Sequence, residues 1–123
     1  MSNTILIVDD SRVSRMILSK VFCSLVSNWT VIEADNGESA IQQAEKHQPS
    51  LIIMDLNMPI LNGLDAARIL KPKMPDSTFV ILTADIQDSS KAKVNNLGVH
   101  FIEKPITESV IRQAIDFWSS EHA

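Results

Sequence analysis

Cysteine occurs once in this chain, at Cys23, so no disulfide can close within it, and a reducing compartment such as the cytoplasm suits it. Nothing resembles a basic segment leading into a long apolar run. Met1-Ser2-Asn3-Thr4 carries no mark of a signal peptide, and no membrane span or membrane partner is expected. Basic residues do not predominate. The net charge is −4, which argues against a nucleic-acid partner. Repeats and low-complexity tracts are missing, and His47, His100 and His122 show no ligand spacing to suggest zinc. What remains is 123 residues with an apolar share of 45%, ordinary for one globular domain with a real core.

The most informative stretch runs Leu51-Ile52-Ile53-Met54-Asp55-Leu56-Asn57-Met58-Pro59 and on to Asn62-Gly63. Four consecutive apolar residues read as a strand buried on both faces, as in a parallel sheet. Asp55 stands where that strand leaves the core, and Pro59 and Asn62-Gly63 order the turn beyond it. Four further strands are expected at residues 4–8, 29–34, 79–82 and 101–103. The mixed 29–34 segment suits an edge.

Helices are expected over 12–26, capped by Ser11 or Asp10, and over 38–47, 63–70 and 88–97. A last one follows Thr107 to about Ser119. In the first helix Val13, Ile17, Leu18, Val21, Phe22 and Leu25 are expected to share the core face, with Met16 and Cys23 off it. The 88–97 helix has only Ala92, Val94 and Leu97 to bury, so it should be weakly anchored. Five strands alternating with five helices make a doubly wound parallel α/β domain.

The strands end in chemistry. Asp9-Asp10, Asp55, Thr83 and Lys104 all fall at carboxyl ends, which lie along one edge of a parallel sheet, the edge where ligands bind. Three carboxylates gathered there repel one another unless a cation intervenes. The donors are all oxygens, so a hard divalent cation fits: magnesium on Asp10, Asp55 and a backbone carbonyl just past Asp55. Thr83 offers a hydroxyl and Lys104 a mobile cation for an anion carried on Asp55. A carboxylate nucleophile supported in this way would form an acyl phosphate.

Asp9-Asp10, Asp55, Thr83-Ala84 and Lys104-Pro105, in that order, closely resemble the receiver domain of two-component response regulators, over the whole chain. A lone Asp-Asp or Lys-Pro would mean little; the ordered set on strand ends is specific. The resemblance implies a flavodoxin-like five-stranded parallel sheet of order 2-1-3-4-5. It implies that Asp55 accepts phosphate from a histidine kinase or phosphotransfer domain, as a regulatory phosphoacceptor rather than an enzyme. It implies magnesium, or manganese in its place, on Asp10, Asp55 and the Asn57 carbonyl, with Asp9 acting through water. Thr83, Ala84 and Lys104 would bind the phosphate, Thr83 and Phe101 would form the switch pair, and Asn57 and Asp85 would tune dephosphorylation. The bond before Pro105 would be cis.

Some features depart from that pattern. Gly98-Val99-His100-Phe101 is one residue shorter than usual before the switch aromatic, Pro72 cuts the third helix short, and Ile106 stands where Phe is common.

Other classes remain in view. A flavodoxin-like cofactor binder would need a Ser/Thr/Gly-rich phosphate loop where Asp9-Asp10-Ser11-Arg12 stands, and an aspartate-nucleophile phosphatase would need an acid at Asn57. The runner-up is a receiver-like interaction module that works without phosphate. With no output domain expected after Ser119, a monomer acting on a downstream target protein or phosphatase is the expectation. Met16 and Cys23 on the first helix mark one possible docking surface; the region around 88–97 and the last strand and helix marks another.

Overall fold

The computed structural model describes residues 3–84 and 98–122. Five strands run parallel: β1 (Asn3–Val8), β2 (Trp29–Ala34), β3 (Leu51–Asp55), β4 (Thr78–Thr83) and β5 (His100–Glu103). Their order is β2-β1-β3-β4-β5, as the resemblance implied, and β2 is indeed an edge. Four helices are described: α1 (Arg12–Leu25), α2 (Gly37–His47), α3 (Gly63–Leu70) and α4 (Glu108–Glu121). The helix expected at 88–97, and with it Ala92, Val94 and Leu97, lies outside the described residues, as does Asp85.

The apolar runs form central strands because both faces of the sheet are covered. Alternate residues separate cleanly. Ile5, Ile7, Leu51, Ile53, Val80 and Leu82 pack against Leu18 and Phe22 of α1 and Ile111 and Ala114 of α4. Leu6, Val8, Ile52, Met54, Phe79 and Ile81 pack against Ala40 and Ala44 of α2 and Leu64, Ala67 and Leu70 of α3. This is the period of two that a strand imposes, with a hydrophobic layer on either side.

Each described helix starts on a side-chain cap. Ser11 accepts from the Ser14 N–H at 3.2 Å and Asn36 from Ser39 at 2.8 Å. Asn62 accepts from Asp65 at 2.8 Å and Thr107 from Val110 at 3.2 Å. These bonds satisfy amide donors that the first turn leaves open, and fix where each helix begins. α3 stops at Leu70, just ahead of Pro72.

The core face of α1 is narrower than expected. Leu18 and Phe22 are buried and Val21 and Leu25 half-buried, but Val13 and Ile17 are 65% and 45% exposed. Successive helical residues are turned by about 100°. With the sheet meeting the helix along Leu18, Phe22 and Leu25, Ile17 is turned aside and joins Met16, which is exposed as expected. No helix among the described residues is long and apolar enough to cross a membrane.

Candidate functional site

β1, β3, β4 and β5 bring the site together by ending at one edge. Asp9 follows β1 directly, Asp55 and Thr83 close β3 and β4, and Lys104 follows β5. The Leu56 N–H donates to the Leu82 carbonyl at 2.8 Å, which carries the ladder one residue past Asp55. The Lys104 N–H donates to the Thr83 carbonyl at 2.6 Å, which carries β5's alignment one residue past its end. The Lys104-Pro105 peptide is cis, as the resemblance implied.

The Lys104 side chain reaches across the edge. Its Nζ lies 3.2 Å from Asp55 Oδ1 and 3.9 Å from Asp9 Oδ2. Asp9, Asp10 and Asp55 each present a carboxylate oxygen within 4.8 Å of the others. Asp9 and Asp55 are buried, at 1% and 7% exposure, while Asp10 is exposed. Asp9 Oδ1 accepts the Ser11 N–H at 2.8 Å. Among the described residues Asp9 Oδ2 is buried with no hydrogen-bond partner, and Lys104 is too far to provide one. A buried carboxylate oxygen left in that state is costly.

Burial is the main reason the Asp9 carboxyl titrates above its ordinary value of 3.8; Asp55 and Asp10 push it further up, against the Ser11 N–H and Lys104. The sign for stability follows. The folded chain holds the Asp9 proton more tightly than the unfolded chain, so this group's contribution to stability falls as pH rises from 3.8 through the raised folded value. Asp9→Asn is therefore expected to raise the metal-free melting temperature by a few degrees at neutral pH, with the gap closing on acidification. Melting curves across pH check this; a variant that melts below wild type at neutral pH contradicts it.

The other expected residues are placed as follows. Thr83 is buried at 2% exposure. Phe101 is half-buried and packs against the cluster between the sheet and α2 and α3. It pairs in register with Ile81, two residues before Thr83, so Thr83 and Phe101 lie on the same face of the sheet. Ala84 is exposed at the end of β4. Asn57 is exposed in the loop after β3.

Two contributors were not read from the sequence. Arg15, in the first turn of α1, donates from Nη1 to the Asp9 carbonyl at 2.7 Å and from Nε to Glu33 at 3.0 Å. Nothing in the sequence separates it from Arg12, which is exposed. Gly63 lies so close behind the central strand that a Cβ there would meet the Asp55 carbonyl oxygen at 2.3 Å. Asn62-Gly63 was legible as a turn and helix start, but not as this close approach.

The donor set is oxygen throughout, and Asp9 contributes an oxygen that lacks a partner among the described residues. Three converging carboxylates with one ammonium leave room for further positive charge. The residues fit a hard divalent cation such as magnesium.

Comparison with known proteins gives the same direction. Residues 5–116 match the family model of the response regulator receiver domain. The chemotaxis protein CheY of Bacillus subtilis is 32% identical over 119 residues, covering 94% of this chain and 97% of that protein. The autoinducer 1 sensor kinase/phosphatase LuxN of Vibrio harveyi is 31% identical over 121 residues; the match takes 98% of this chain but only 14% of LuxN. Among solved structures, the N-terminal domain of an uncharacterized protein from Wolinella succinogenes superposes with a TM-score of 0.83 at 27% identity, covering 97% of this chain and 95% of that one. The Vibrio cholerae chemotaxis protein CheY4 shares the fold, with a TM-score of 0.84 at 22% identity over 94% of this chain and 98% of that one. The chain belongs to the response regulator receiver domain family.

Proposed function

We propose that this chain takes a phosphoryl group onto Asp55 from a phosphohistidine, on a histidine kinase or phosphotransfer domain, and signals by binding another protein. The observation that carries the reading is the Lys104 ammonium 3.2 Å from Asp55 Oδ1, at the point where three carboxylates converge.

In the transfer an Asp55 carboxylate oxygen attacks phosphorus. The new O–P bond forms as the P–N bond breaks, and the imidazole leaves with the electron pair. Asp55 closes β3 with its Oδ1 3.2 Å from the Lys104 ammonium, so little reorganisation is needed before attack. Lys104 exchanges its carboxylate contact for the incoming phosphoryl oxygens and offsets their charge. The Thr83 hydroxyl and the Ala84 N–H, at the end of the neighbouring strand, serve the remaining oxygen. Asp10, Asp55 and the Asn57 carbonyl would hold magnesium directly, and Asp9 through a water. When bound, the metal supplies positive charge to the carboxylates and the phosphoryl group.

Thr83 drawn toward the phosphoryl group would leave space on the face it shares with Phe101, and a turn of Phe101 into that space would change the surface around β5. Asn57, with Asp85 beyond β4, would control water access to the acyl phosphate and so its lifetime.

The test uses a small acyl-phosphate donor and intact-mass detection. One phosphoryl group per chain is expected with magnesium, and none after chelation. A chain that takes up no phosphoryl group under these conditions overturns the reading in favour of an interaction module that works without phosphate. The metal assignment has its own check. Asp10→Ala is expected to weaken magnesium more than Asp9→Ala, the water-mediated loss being about tenfold. Calorimetric titration of both variants reads the difference, and equal losses contradict the split between direct and water-mediated roles.

A further inference from the structure

We propose that Arg15 is a positioning residue for the carboxylates of this site, acting through the main chain between Asp9 and Asp10; the proposal rests on the metal-dependent reading above.

The argument begins where β1 runs out of partner. Its pairing with β2 ends at Val8 opposite Ala34, and the Asp9 N–H still reaches the Ala34 carbonyl at 3.2 Å. β2 goes no further. The Asp9 carbonyl therefore needs a donor from elsewhere, and Arg15 Nη1 provides it at 2.7 Å. The same guanidinium donates from Nε to Glu33 of β2 at 3.0 Å. Its side chain is 16% exposed, against 46% for Glu33, so the contact to the carbonyl is largely shielded. One planar group thus ties the first turn of α1 to the end of β1 and to the edge strand. An ammonium lacks the fixed fork that serves two acceptors at once.

The peptide held in this way joins Asp9 to Asp10. Asp9 has a second anchor, since its Oδ1 accepts the Ser11 N–H. Asp10 has no such anchor: no hydrogen bond to its carboxylate is found among the described residues, and it is exposed. Its place within 4.8 Å of the other two acids is therefore set by its backbone. Arg15 is the side chain that fixes the carbonyl of that peptide. Without it the peptide can rotate, and the Asp10 carboxylate moves away from the shared position.

Charge and position predict opposite results here. Removing a cation beside an anionic site should tighten divalent-cation binding by simple electrostatics. Loss of positioning should weaken it. The experiment is a titration of the metal-free chain with manganese, with free Mn2+ counted by electron paramagnetic resonance. Arg15→Ala is expected to bind Mn2+ about tenfold more weakly than wild type, the size typical of lost outer-shell support. Arg12→Ala, which removes the same charge one turn-position away from an exposed site, should bind as tightly as wild type or slightly more tightly. Arg15→Lys should recover only part of the loss. Glu33→Gln, which keeps an oxygen acceptor for Nε, should stay near wild type.

A second readout needs no metal. In amide NMR spectra of the metal-free chain, Arg15→Ala should shift the Asp10 and Ser11 resonances, and Arg12→Ala should leave them in place relative to their neighbours. Arg15→Ala that melts lower but binds Mn2+ as tightly as wild type overturns the proposal and leaves a purely structural residue. Should that variant fail to fold, Arg15→Lys decides: full wild-type affinity overturns the proposal, and partial loss supports it. A wild-type chain that binds no Mn2+ overturns the metal-dependent reading itself, and this outcome is visible before any variant is compared.

Discussion

Asp55→Asn should fold as well as wild type and take up no phosphoryl group. The amide is nearly isosteric with the carboxylate, and the site around it is tightly built, so the side chain should stay in place at the end of β3. Its Oδ1 can still accept from Lys104, which lies 3.2 Å away in the wild type. One negative charge is lost next to Asp9, whose carboxyl is already pushed up by burial and by Asp55, so the metal-free fold should lose no stability. The chemistry, in contrast, has no substitute. An amide oxygen is a poor nucleophile toward phosphorus, and no other carboxylate closes β3. Intact-mass detection after incubation with an acyl-phosphate donor and magnesium, alongside a melting curve, reads both halves. Labelling at the wild-type level would remove Asp55 from its role.

Gly63→Ala should damage fold and site together. The added Cβ would lie 2.3 Å from the Asp55 carbonyl oxygen, 3.1 Å from its carbon and 3.3 Å from Leu56 Cα. All three atoms are backbone at the end of the central strand, so no side chain can swing aside. Gly63 also donates its N–H to the Leu56 carbonyl at 2.9 Å, which holds the start of α3 against that strand. Either α3 moves outward or the end of β3 gives way. Overpacking of this kind costs about 1–3 kcal/mol. The better helix propensity of alanine, worth up to about 1 kcal/mol in a helix interior, does not offset it at a first turn. Urea unfolding should show the loss, and phosphoryl uptake should fall steeply because Asp55 itself is displaced. A variant with wild-type stability and wild-type uptake would mean that the helix start yields freely.

The site was legible because each central strand is an unbroken apolar run that ends in a polar residue. Ile53 and Met54 lead to Asp55, and Ile81 and Leu82 lead to Thr83; burial on both faces makes the run, and its end marks the edge. The strand beginnings were harder to read. Thr78 and His100 are polar, yet both start strands. Their polarity is absorbed by α4: Glu121 accepts from the Thr78 hydroxyl at 3.0 Å and meets the His100 ring, which stacks on Phe117 at 3.9 Å between centroids. Local sequence cannot reveal a partner over 20 residues away.

The same reason hid the surface of α1. Val13 and Ile17 look like core residues by spacing, but which side of a helix meets the sheet is set by Leu18 and Phe22 finding Ile5, Ile7 and α4. Arg15 was hidden differently. Its importance lies in a main-chain carbonyl, and carbonyls carry no letter in a sequence.

The most direct test of the account is to trap the acyl phosphate and find its position. The chain is incubated with a small acyl-phosphate donor and magnesium, reduced with borohydride, digested and read by tandem mass spectrometry. An aspartyl phosphate is reduced to homoserine. Homoserine at position 55 and nowhere else is the predicted result. Homoserine at position 9 or 10, or an acid-stable phosphate on another residue with Asp55 intact, would contradict the account.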